Sequence, residues 1–127
     1  MVGQSQASKR ICHLHGVGPG WHPLLLRLHE ELLTVSPGYS VQQVKEKYGT
    51  LRIYLLTGLL RHLHEGGDMW PEPHEADRYK QEDDAAKLLV HAAEQESATI
   101  CEYCGNPGQA RERFWIKTLC DDCNACR

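Results

Sequence analysis

The chain has 127 residues, 41% of them apolar, a formal charge of −3 and six cysteines, which at this length points to one domain with a modest core that a further staple would help. No apolar run of secretory-signal length opens the sequence, and the greasiest stretch, residues 24–33, is broken by Arg27, His29, Glu30 and Glu31, which excludes a membrane span. A cytoplasmic location with reduced thiols is therefore expected, and the acidic balance argues against a protein that coats nucleic acid without sequence preference.

The charge is unevenly spread. Counting Lys and Arg against Asp and Glu, residues 1–39 carry +1, residues 40–61 carry +3, residues 62–100 carry −7 and residues 101–127 are neutral. In chain order, residues 16–20 form a glycine-rich approach to an amphipathic helix with Pro23 in its first turn, where a missing N–H costs little. Leu25, Leu28 and Leu32 give that helix one apolar stripe, widened by Leu24, Leu26 and Leu33, and Ser36, Pro37 and Gly38 stop it. His22 and His29, seven apart, share a face at the edge of the core.

The following segment, YSVQQVKEKYGTLRIYLL, is rich in β-branched and aromatic residues, and Leu51, Ile53 and Leu55 alternate with Arg52 and Tyr54. This pattern predicts a β-hairpin turning at Tyr48-Gly49. Residues 61–73 read as a loop. A long helix is predicted from about residue 74 to residue 97, with Ala76, Tyr79, Ala86, Leu89 and Ala93 at helical spacing and Glu75, Asp77, Glu82, Asp83 and Asp84 in its first half, where negative charge suits the helix dipole. The predicted fold class is α+β, a single domain with a helix–hairpin–helix core at residues 16–100 and a zinc-ribbon-like module at residues 101–127.

Cysteine spacing carries the chemistry. Cys101 and Cys104 form one CxxC and Cys120 and Cys123 a second, with fifteen residues between them. Two residues between thiols let a tight turn aim both sulfurs at one ion, and two such knuckles complete a tetrahedron of thiolates around Zn2+. Four thiolates leave no open coordination position, so zinc here would support the fold. Disulfides, redox-active thiols and another metal are the alternatives. Cys126 makes a third CxxC with Cys123, and ICHLHG contains a CxxH, so Cys12, His13, His15 and Cys126 form a candidate second metal site against the plainer reading of a free thiol and ordinary histidines.

Other signals are weaker. His62 and His64 would share a side in a strand, near Asp68, but the HxHxDH run of metallohydrolases is not reproduced. No GxSxG and no GxxxxGK[ST] is present, so no enzyme is expected. The hairpin interleaves Lys45, Lys47, Arg52 and Arg61 with Tyr39, Tyr48 and Tyr54, either as a solvated sheet face or as a surface for phosphates and bases.

Taken together, GPGWHPLLLRLHEELL, VQQVKEKYGTLRIYLL and AEQESATICEYCGNPG resemble a family of small uncharacterised proteins of actinobacteria, other bacteria and their phages. Its members carry a Gly-Trp opening, a QVKEKFGGLRFY-like strand and a helix running into CxxCGxPG and a Cys-rich end. The likeness spans about residues 16–123; Tyr48 and Thr50 stand where the family has Phe and Gly, and Cys126 lies outside its pattern. The resemblance implies a metal knuckle pair at Cys101, Cys104, Cys120 and Cys123, marks residues 44–54, and implies no particular activity.

The expected function is that of a non-enzymatic, zinc-stabilised adaptor or inhibitor, with a protein as the first partner expected, in phage and host biology. Lys45, Lys47, Arg52 and Tyr54 are its candidate macromolecule-binding residues. A second expectation is a nucleic-acid-binding zinc ribbon that adds Arg113 and Trp115 to that set.

Overall fold

A computed structural model describes residues 16–66, 70–112 and 114–126. Within them the protein is α+β: a 3-10 turn Pro19–Trp21, helix α1 (His22–Val35), strands β1 (Ser40–Lys47) and β2 (Thr50–Leu56), helix α2 (Gly58–His64), the long helix α3 (Pro73–Ser97), strands β3 (Gln109–Arg111) and β4 (Lys117–Leu119), and a short helix α4 (Asp121–Ala125). The strands pair antiparallel as two separate two-stranded sheets, β1 with β2 and β3 with β4.

The β1–β2 hairpin turns where the sequence predicts. Lys47 pairs with Thr50, and the two residues between, Tyr48 and Gly49, both have positive φ, 55° and 85°. Positive φ at both central positions suits the right-handed twist of the flanking strands, and Gly49 adopts it without strain. A register shift between Val41 and Gln43 makes a bulge at Gln42, so Val41 and Val44, three apart, both pack toward the core. The opposite face carries Lys45, Lys47, Arg52 and Tyr54.

A two-stranded sheet is marginal in water alone, and here helices cover one face. Trp21, Leu24, Leu25, Leu28 and Leu32 of the turn and α1 pack with Val44, Leu51 and Ile53 of the hairpin and Ala86 and Ala93 of α3. Leu26 and Leu33, expected to widen the α1 stripe, are exposed instead, because α3 and the hairpin meet only the narrower arc set by Leu24, Leu25, Leu28 and Leu32. His29 is buried and lies 2.5 Å, through Nδ1, from the Tyr39 hydroxyl.

The segment 61–73 is corrected at its start: residues 61–64 belong to α2, where two residues of spacing turn His62 and His64 to different sides. Its N-terminus is fastened by carboxylates of α3. Gly58 N–H donates to Glu82 Oε2 at 3.2 Å, the Thr57 hydroxyl donates to Asp83 Oδ1 at 2.6 Å, and Arg61 pairs with Glu82 at 2.9 Å. The acids of α3 therefore do more than offset the helix dipole. Asp68 lies outside the described residues. No helix among the described residues is long and apolar enough to cross a membrane.

Candidate metal centre

Helix α3 delivers the chain to the first knuckle, where Cys101 N–H donates to Asn106 O at 2.7 Å and Gly105 N–H donates back to Cys101 O at 3.0 Å. Gly105 has φ 83°, which closes this turn in a region that side chains disfavour. The second knuckle opens α4: Cys120 caps the helix, its sulfur accepting from Cys123 N–H at 3.4 Å, and Asn124 N–H donates to Cys120 O at 2.9 Å. The β3–β4 ribbon, with Gln109 opposite Leu119, holds the knuckles side by side.

The result is one cluster. The ligand atoms of Cys101, Cys104, Cys120 and Cys123 all lie within 4.8 Å of one another, and the Cys104 and Cys120 sulfurs are 3.6 Å apart. A disulfide needs about 2.05 Å, whereas metal–sulfur bonds of about 2.3 Å arranged tetrahedrally put the sulfurs roughly 3.8 Å apart. These four sulfurs therefore fit a shared metal ion, and none of the four cysteines is disulfide-bonded. Cys101 and Cys120 are buried, while Cys104 is exposed and Cys123 half-buried, so the site opens on one side to water.

The electrostatics of the bare thiols point the same way. Burial works against the Cys101 thiolate, but backbone N–H groups of Cys104, Cys120 and Tyr103 outweigh it and hold the thiol down at about 6. Cys123 is pushed up to about 12, first by its contact with Cys120, then by burial and by contact with Cys101 and Cys104. One cluster of sulfurs favours a first negative charge and resists further ones, a frustration that a bound cation relieves.

The cluster is also built into the core, which the sequence did not disclose. Glu102, buried between the first two cysteines, accepts from Gly18 N–H through Oε2 at 3.0 Å and from Gly20 N–H through its carbonyl at 2.7 Å. Trp21 Nε1–H donates to Ile100 O at 2.9 Å. A side chain on Gly20 would have no room: its Cβ would stand 2.0 Å from Cys101 O and 2.6 Å from Gly105 N. Lys117 bridges Glu46 and Glu102, each at 3.2 Å; burial opposes its charge, but Glu102 and Glu46 prevail and raise its pKa above the usual lysine value.

Among the other candidates, Cys126 is exposed and outside the four-sulfur cluster, and Cys12, His13 and His15 lie outside the described residues, as does Arg113. Lys45, Lys47, Arg52 and Tyr54 do come together on the outer face of the hairpin: Lys45 pairs across the strands with Arg52, the Lys45 ammonium lies 5.5 Å from the Tyr54 ring centroid, and Lys47 lies 5.5 Å from that of Tyr48. No family model matches this chain, and comparisons with curated proteins and with solved structures find no significant match.

Proposed function

We propose that the chain is a zinc-stapled docking module without catalytic chemistry of its own, which presents the outer face of the β1–β2 hairpin to an anionic surface on another macromolecule. Zinc is the ion best suited to four thiolates in a tetrahedron, and bound there it would supply cross-linking and leave no position for substrate. Cys101, Cys104, Cys120 and Cys123 would hold it.

The docking half rests on one observation. Lys45, Arg52 and Lys47 lie on one face with no ion-pair partner among the described residues, and Lys45 stands directly opposite Arg52. Like charges opposite each other weaken a hairpin, so an arrangement that costs stability supports a use for the charge. Glu46, the nearest carboxylate in sequence, is engaged with Lys117 and with Gly49 N–H. A protein partner, the first expectation from the sequence, would meet this face through an acidic patch.

Immobilised heparin tests the docking half with a generic polyanion. The zinc-loaded chain should be retained and a Lys45→Gln, Lys47→Gln, Arg52→Gln variant should elute at clearly lower salt. A wild-type chain that passes unretained would overturn the reading.

A further inference from the structure

The exposed rings of this protein gather where two hairpins meet. The turn of β1–β2 lies on the β3–β4 ribbon: the Thr118 hydroxyl donates to Gly49 O at 2.5 Å, and a Cβ on Gly49 would stand 3.2 Å from Ile116 Cγ2. Tyr48, 69% exposed, sits at one tip, and Phe114 and Trp115, 96% and 61% exposed, directly precede the Ile116 that faces this turn. Tyr54, 46% exposed, continues the row on the outer face of β2. Of the five exposed aromatic residues among the described residues, only Trp70 belongs to another segment.

Cations alternate with these rings. Lys47 lies over Tyr48 and Lys45 over Tyr54, while Phe114 and Trp115 meet edge to face at 5.6 Å, an arrangement that leaves ring surface open to solvent. Large rings left in water beside unneutralised cations mark a recognition surface more than a solvated sheet.

We propose that the two hairpin tips form one binding surface for single-stranded nucleic acid, with Tyr48, Tyr54 and Trp115 stacking bases and Lys45, Lys47 and Arg52 receiving phosphates. This inference rests on the docking reading of the hairpin face and names its partner class. A nucleotide chain repeats one anion and one flat ring per unit, which matches the alternation here. An acidic protein patch would satisfy the cations and leave the rings without that repeat. Duplex is disfavoured because its bases already stack on one another, whereas unpaired bases offer both faces. The acidic α3 and the net charge of −3 confine attraction to this face.

The test uses the zinc-loaded full chain with fluorescein-labelled oligothymidylate and oligouridylate, read by anisotropy, beside a duplex of equal length and heparin. Tyr48→Asn removes a ring while giving the positive-φ position a residue that tolerates it, and Trp115→Ala removes a ring from an exposed tip. The expected result is binding to at least one single strand in preference to duplex, each ring variant weakening it by about fivefold or more with unchanged thermal stability. Intrinsic tryptophan fluorescence should be quenched on binding in the wild type and not in Trp115→Ala. The slope of log affinity against log salt should be about −2 for three cations at about 0.7 each, falling by about 0.7 for Lys45→Gln. Retention on heparin with no preference for single strands, or single-strand binding indifferent to both ring variants, would overturn the inference and leave docking intact. Failure on heparin as well would remove the docking reading itself.

Discussion

Gly20 shows how much of this protein is decided by single atoms. Its missing side chain lets the backbone of residues 18–21 lie against the first knuckle, and a methyl group there would meet Cys101 O at 2.0 Å. This contact and the one at 2.6 Å with Gly105 N are both with backbone, so nothing flexible can yield. Gly20→Ala should therefore destabilise the fold by about 3 kcal/mol or more, measured by urea denaturation; a change within about 0.5 kcal/mol would show that the close approach is not made in solution. Gly18 and Gly20 read in the sequence as part of a glycine-rich approach to a helix, a correct but partial reading, since composition cannot say what a glycine is clearing space for. Tyr48 is the reverse case. Its place at the turn was legible from Tyr-Gly inside a β-rich segment and just before the alternating run 51–55, and its positive φ is a conformation that Asn adopts more easily, so Tyr48→Asn should leave stability unchanged or raise it.

At the scale of elements, α3 does work that its periodicity does not announce. Its extent, about residues 74–97, was legible from helical spacing, and the structure begins it at Pro73. The helix also serves the free edge of β2: Leu51 N–H donates to Ser97 Oγ at 2.9 Å and Ile53 N–H to Glu94 Oε2 at 3.0 Å, so side chains replace a neighbouring strand. Glu82 gathers Ser36 Oγ, Gly58 N–H and the Arg61 guanidinium in one largely buried knot. Such a partner set joins residues 36, 58, 61 and 82, and no local pattern ties them together; that is why residues 61–64 read as loop in the sequence. Arg61→Met leaves Glu82 buried without its cation and should cost about 3 kcal/mol by thermal or chemical denaturation, whereas exposed Lys80→Met, across from Asp84, should leave stability nearly unchanged. Equal effects would mean that the Glu82 knot is as open to water as the surface pair.

Across the whole molecule, the four-cysteine cluster and the core are one structure joined through Glu102, Trp21 and Lys117. The clustering of the four cysteines was legible because two CxxC pairs encode a geometry by spacing alone; their attachment to residues 18–21 was not, since it depends on backbone carbonyls that any residue carries. Protons compete with a metal for thiolates, so acidification should release the ion, and because Glu102 sits between Cys101 and Cys104 while holding Gly18 and Gly20, its loss should loosen the core as well as the ribbon. Cys101→Ser should reproduce that loosening at neutral pH. The most direct measurement is native mass spectrometry of reduced protein, paired with thermal unfolding followed by intrinsic tryptophan fluorescence, to which buried Trp21 contributes, each with and without a strong chelator. One zinc per chain, lost on chelation together with a large drop in the unfolding temperature, is the result this account predicts; a metal-free chain that unfolds at the same temperature with and without chelator would contradict it.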